Sequence, residues 1–156
     1  VAADPDLLNA FSHMLAGVGA EIVAAVSPVN AAVLTSVACE KVRIGDLEDL
    51  EKMAQENAAE ILITNSHGVE SSVRLGIPLL RAGFPQYDIL GGYQKTWIGY
   101  RGTRQTLFDL ANMMLTLEKG EIHPYHSMYK QKSDLTEFSE AKHDSSKTTA
   151  ASELQH

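Results

Sequence analysis

Short, wholly apolar runs alternate along the chain with longer stretches in which apolar residues recur at every third or fourth position. The first long stretch begins at Asp4-Pro5. Asp can accept from the free N–H groups of a first helical turn, and Pro fits a position whose N–H has no partner there. Leu7, Leu8, Phe11, Met14, Leu15 and Val18 then predict a helix to about Val18 with one buried face, stopped by Gly17 and Gly19. A strand is expected over Glu21–Val26, a short helix over Ala31–Ala38 and a second strand over Val42–Ile44. Asp46 is expected to cap a helix from Leu47 to about Asn57, with a partial capping box because Asp49 stands where Glu or Gln would complete it. A strand at Ile61–Thr64, a helix from Gly68 to about Leu75 and a strand at Ile77–Leu80 follow. The last helix is expected from about Tyr100 to Leu117, with Leu107, Leu110, Ala111, Met114 and Leu117 facing inward. Val1-Ala2-Ala3 reads as the last residues of one more strand, as if the chain were cut from a longer protein.

Apolar strands alternating with amphipathic helices predict an α/β fold. Each crossover must return a helix onto the sheet, which gives a doubly wound, Rossmann-like, mostly parallel sheet with helices on both faces. The expected organisation is one domain over residues 1–128 and a tail over 129–156, where Ser, Thr, Lys, Glu and Ala offer too little apolar surface to offset the entropy of ordering.

Composition narrows the function. With a net charge of −7 and no long basic stretch, the chain is not expected to bind nucleic acid, whose affinity rests on clustered Lys and Arg. No apolar run approaches the ~20 residues that span a bilayer, so no membrane partner is expected. The single cysteine, Cys39, permits neither an internal disulfide nor a multi-cysteine metal site, and with no secretory signal the expected location is the cytoplasm.

Candidate chemistry concentrates at two turns. Gly17-Val18-Gly19 lacks the third glycine of a dinucleotide fingerprint and closes a helix instead of opening one. Asn65-Ser66-His67-Gly68 follows an apolar strand at the edge where open α/β sheets bind ligands. Ser66 and nearby N–H groups could hold an anion there, or Asn65 or Ser66 could simply cap the next helix. His67, with Ser66 beside it and Glu70 one turn on, is a weak basis for catalysis, and no catalytic residue is assigned. His123 and His126, separated by two residues, fall short of a metal site, and no metal ligand is assigned. Tyr100-Arg101-Gly102-Thr103-Arg104 places two cations in a first helical turn, where the helix dipole disfavours them, so an acidic partner is expected opposite Arg101 and Arg104. Ser66, His67, Gly68, Tyr100, Arg101 and Arg104 are therefore the candidate binding or interface residues.

DPDLL, ITNSHG and the continuous block GIPLLRAGFPQYDILGGYQKTWIGYRGTRQTLFDLANMML together resemble the C-terminal domain of β-type subunits in the nitrogenase component 1 family, over about residues 1–128. Within it, GYRGTR is more similar to the N-type subunit of the cofactor-assembly scaffold, because the catalytic β subunit typically carries an acidic residue where this chain has Arg101. The resemblance implies a subunit of three α/β domains that pairs with an E-type scaffold subunit in a heterotetramer. That complex receives an iron-sulfur precursor and matures it into the iron-molybdenum cofactor. The family's cluster-ligating cysteine belongs to its N-terminal domain, so no cofactor is expected in this fragment and no turnover by it alone. A catalytic β subunit of nitrogenase or of a related tetrapyrrole reductase is the second reading. A free-standing small-molecule binder using Ser66, His67 and Gly68 is the third.

Overall fold

The computed structural model describes residues 1–117. The expected boundary at 128, the tail over 129–156 and the histidines at 123 and 126 lie outside the described residues. Four strands, β1 (Val26–Ser27), β2 (Arg43–Ile44), β3 (Leu62–Thr64) and β4 (Leu79–Arg81), form two parallel pairs, with Val26 opposite Arg43 and Leu62 opposite Leu79. The first residues join these pairs, as their apolar pattern predicts. Ala2 bridges Val26 in parallel, the Val26 N–H donates to Val1 O at 2.9 Å, and the Ala2 N–H donates to Ile63 O at 2.9 Å. Residues 1–3 thus lie between the two pairs, in the order β2, β1, residues 1–3, β3, β4, bridging β1 in parallel and meeting β3 through the one bond to Ile63.

The period of two along these strands sorts their side chains into two cores. Ile63 and Leu80 meet Phe11 and Leu15 of helix α1 (Pro5–Gly17) and Leu110 of helix α4 (Gly99–Leu117). Leu62 and Val26 turn the other way, onto Leu50 and Ala54 of helix α2 (Leu47–Glu56), with Leu75 of helix α3 (Val69–Leu75) at the margin. A three-layer α/β/α arrangement results, as the alternation predicts. Leu8 and Leu50 are wholly buried, each contributing ~1.5–3 kcal/mol of apolar transfer free energy.

Local chemistry explains the element ends. The Asp4 carboxylate accepts from the Leu7 N–H at 3.1 Å and starts α1. Asp46 accepts from the Glu48 and Asp49 N–H groups, and the Asp49 carboxylate returns a long bond, 3.4 Å, to the Asp46 N–H. The capping box is thus closed, where only half of it was expected; the shorter Asp side chain completes it at a stretched distance.

Four expectations are corrected. Residues 31–38 form only a five-residue 3-10 turn, Ala32–Ser36, in which the Thr35 and Ser36 hydroxyls donate to the Ala32 and Val33 carbonyls and compete with α-helical bonding. The strand expected over 21–26 is regular only at Val26–Ser27, where it meets both Ala2 and β2. The strand expected at 77–80 is displaced to Leu79–Arg81, because the Ile77 N–H bonds back to Ser72 O at 3.2 Å and Pro78 has no N–H to give the ladder. In α4 the buried positions are Gly102, Thr106 and Leu110, while Ala111, Met114 and Leu117 are exposed and Leu107 is half-buried. A count of apolar residues alone misplaces this stripe, since a glycine and a threonine make the closest approach.

Candidate functional site

The Asn65-Ser66-His67-Gly68 turn leaves β3 at the C-terminal edge of the sheet, with Ser66 buried and His67 exposed. The Ser66 hydroxyl donates to Asp88 Oδ1 and accepts from the Tyr87 N–H at 3.1 Å. The Ser66 N–H donates to Pro85 O at 3.1 Å, and the Gly68 N–H to Asn65 O at 3.1 Å. Asn65 accepts from the His67 N–H at 3.1 Å and donates to Phe84 O at 2.9 Å. These donors are already satisfied, so the anion-holding reading of Ser66 and its neighbours has no support here; Asn65 caps the 3-10 turn Ser66–Gly68, whereas α3 itself starts at Gly68 with no side-chain cap, so neither Asn65 nor Ser66 caps that helix as expected. Gly68 is required by packing, since a Cβ there would run into the buried Thr64 methyl.

His67 is exposed, its Nδ1 3.3 Å from the Tyr87 hydroxyl and its ring edge-on to Tyr87 with centroids 5.5 Å apart. Glu70 reaches Arg74 instead, at 3.5 Å. No Ser66–His67–Glu70 triad forms.

Asp88 carries this turn onto β4. Arg81 donates from Nε to Asp88 Oδ2 at 2.7 Å, and its Nη2 lies 2.6 Å from the same oxygen. Arg81, then the Ser66 hydroxyl, hold the Asp88 carboxyl below its ordinary pKa. The Arg81 carbonyl accepts from Trp97 Nε1 at 3.0 Å, and the Trp97 carbonyl accepts from the Thr106 hydroxyl of α4 at 3.2 Å. Gly102 makes this approach possible, because a Cβ there would lie 2.8 Å from the Trp97 carbonyl carbon and 3.0 Å from that of Thr96. A chain of side-chain and backbone bonds thus runs from Ser66 through Asp88, Arg81 and Trp97 to Thr106, pinning the loop over 82–98.

Sequence reasoning missed Arg81, Asp88, Trp97 and Thr106. A cation ending an apolar strand and a lone tryptophan before a Gly-rich helix start were the available signals, but Asp88 and Ser66 lie 22 positions apart and no local pattern links them.

Tyr100, Arg101 and Arg104 point the other way. All three are exposed, Tyr100 completely, and neither arginine has an ion-pair partner among the described residues. Tyr100 and Arg104 line an open groove of about 540 Å³ with Thr103, Leu107 and Phe108. The first turn of α4 holds Arg101 and no carboxylate to offset it, while Arg104, expected in the same turn, is the sixth residue of the helix and stands beyond it. The two candidate groups are therefore not brought together by any direct hydrogen bond or ion pair among the described residues.

The donor set does not suit a resident iron-sulfur cluster, which takes about four thiolates. Cys39 is the one cysteine of the chain; it packs beside Leu8, Ala25 and Val37, and burial pushes its thiol pKa up, away from the thiolate a cluster needs. Among the described residues no three His, Cys, Asp or Glu side chains are placed to hold a metal ion, and no helix is long and apolar enough to cross a membrane.

Parallel strands, helices on both faces and a loop-rich C-terminal edge define an α/β domain of the Rossmann-like class. A solved structure of nitrogenase Cp1 at pH 6.5 shares this fold with a TM-score of 0.68 and 26% identity, over 81% of this chain and 31% of that one. The profile of the Nitrogenase component 1 type Oxidoreductase family matches residues 1–115, and the chain belongs to that family. A Rhodobacter capsulatus protein named nitrogenase iron-molybdenum cofactor biosynthesis protein NifN is 47% identical over 115 residues, which are 73% of this chain and 25% of that protein. The Klebsiella pneumoniae protein of the same name is 38% identical over 114 residues, 73% of this chain and 25% of its own length. The chain spans about a quarter of the length of these relatives.

Proposed function

We propose that this chain is the C-terminal domain of an N-type scaffold subunit on which the iron-molybdenum cofactor of nitrogenase is assembled, and that it contributes domain and subunit interfaces to the scaffold. The observation that carries the reading is the 47% identity to a relative named for cofactor biosynthesis, well above the 26% shared with nitrogenase Cp1. Arg101, at the position where the catalytic β subunit typically carries an acid, favours the scaffold further. The partner is an E-type subunit in a heterotetramer acting in the cytoplasm, and the iron-sulfur precursor is cargo held mainly by that partner. The domain extends to about residue 128, with 129–156 as its tail. This chain alone catalyses no turnover.

The reading is tested by replacing the matched segment of the Rhodobacter capsulatus relative with the corresponding residues of this chain. Cofactor assembly by the hybrid is expected to persist. A hybrid subunit that pairs normally with its E-type partner yet matures no cofactor would overturn the assignment.

A further inference from the structure

The loop between β4 and α4 is fastened at both ends and loose in its middle. Its first residues are stitched to the turn after β3, where Asn65 Nδ2 donates to Phe84 O, the Ser66 N–H donates to Pro85 O, and the Asp88 carboxylate accepts from the Ser66 hydroxyl and from Arg81. Its far end is held by Trp97, whose Nε1 donates to Arg81 O. Between these supports lies a tip, Ile89–Gln94, whose hydrogen bonds among the described residues reach no farther than Lys95. The Gln94 N–H donates to Gly91 O at 3.0 Å, the Lys95 N–H to Gly92 O at 3.1 Å, and Gln94 Nε2 to the Tyr93 hydroxyl at 3.3 Å. Leu90 and Tyr93 are 105% and 72% exposed, so their burial does not hold the tip down.

What lies under the tip is a poor anchor. The Gln86 side chain folds beneath it, with its amide nitrogen and oxygen both closed off from solvent and neither bonded to any described residue. The packing there is close, since a Cβ at Gly92 would lie 2.5 Å from Gln86 Oε1 and 3.0 Å from Ile89 Cγ1. An amide buried in this way loses its hydration and gains no hydrogen bond, so closure of the tip is opposed from within. Gly91, at φ +72°, and Gly92 place two consecutive glycines in the tip, where the backbone turns most freely.

We propose that Ile89–Gln94 is a two-state strap over Gln86: in the closed form, that of the structure, it buries the amide, and in the open form the 3-10 turn Gly92–Gln94 unwinds about Gly91 and Gly92 and returns the amide to water. The supports at Asp88 and Trp97 stay in place in both forms, so the change is confined to the tip. Opening adds to the exposed Leu90 and Tyr93 a side chain that both donates and accepts, which changes what this part of the surface can recognise.

The test is backbone relaxation dispersion by NMR on the 156-residue chain, which reads exchange between states on the μs–ms scale. Exchange is expected at Ile89–Lys95 and not in α2. Gln86→Met keeps the length of the side chain and removes the amide, so it should lower the open population roughly tenfold and flatten the dispersion. Gln86→Glu adds a charge that resists burial, and should carry the tip resonances toward their open-state positions. Flat profiles in the parent would overturn the proposal, as would dispersion in Gln86→Met as large as in the parent or tip resonances left in place by Gln86→Glu. Failure of Gln86→Met to fold would overturn it too, because an amide without a bond is replaced by a thioether of equal length at no cost to the fold.

Discussion

Ser66, in the 3-10 turn after β3, and Arg101, in the first turn of α4, both sit near glycines at the start of a helical segment, and the structure treats them in opposite ways. Ser66 is 1% exposed, and its hydroxyl both donates to Asp88 and accepts from Tyr87, while Arg101 stands in solvent without an ion pair among the described residues. A buried polar group must be bonded internally or its desolvation is uncompensated, whereas an exposed cation keeps its water and awaits a partner at little cost. Residues that look equally functional in sequence therefore divide into an inner set that shapes the edge and an outer set that the edge displays.

The sharpest break in that division is expected at Gly102. Gly102→Val forces a branched side chain against the backbone of Thr96 and Trp97, which cannot yield without moving the start of α4 away from the sheet. Denaturant unfolding should show a loss of about 3 kcal/mol, at the upper end of overpacking effects. Ser66→Ala comes next. It leaves the Tyr87 N–H without its acceptor and removes one donor from Asp88, a loss of about 1–3 kcal/mol by the same measurement. Hydrogen exchange should quicken across the loop over 82–98 and stay unchanged in α2, which lies on the other face.

Asp88 supplies a pH test of the inner set. Its folded-state pKa is depressed, chiefly by Arg81 and then by Ser66. The carboxylate therefore contributes stability that is fully present above its unfolded value near 4 and is lost as the pH falls through the lower folded value. Asp88→Asn should remove that part of the acid dependence, so that the melting temperatures of parent and variant differ by a constant gap above about pH 4 and the gap closes as the pH falls below it.

Much of the fold was legible because its signals are local. Asp4-Pro5 and Asp46 mark helix starts, spacings of three and four reveal the buried face of α1 at Leu8, Phe11 and Leu15, although Val18 lies exposed beyond its end, and the apolar run at Leu62–Thr64 is a paired strand that the first residues join through Ala2. The inner set was only half legible. Ser66 and Gly68 could be singled out from their place after a strand, but their roles depend on Asp88 and Thr64, and the first contact crosses 22 positions. The stripe of α4 was misread because Gly102 and Thr106 pack by close backbone approach and by a hydroxyl bonded to Trp97, neither of which an apolar count registers. Arg101 was legible as a misplaced charge because the helix dipole is a property of sequence position once the helix start is known, but α4 starts at Gly99, so Arg104 lies beyond the first turn where it was expected.

The smallest expected effect on folding tests the central division most directly. Thermal melting of the 156-residue chain with Arg101→Ala and Arg104→Ala combined should match the parent or rise slightly, since a cation in a first helical turn, as Arg101 is in α4, is disfavoured by roughly 0.3–1 kcal/mol and the exposed Arg104 has no ion pair among the described residues to lose. Ser66→Ala, melted beside it, should fall by several degrees. An arginine double variant that melts as early as Ser66→Ala would contradict the account, because Arg101 and Arg104 would then belong to the fold and not to the surface it displays.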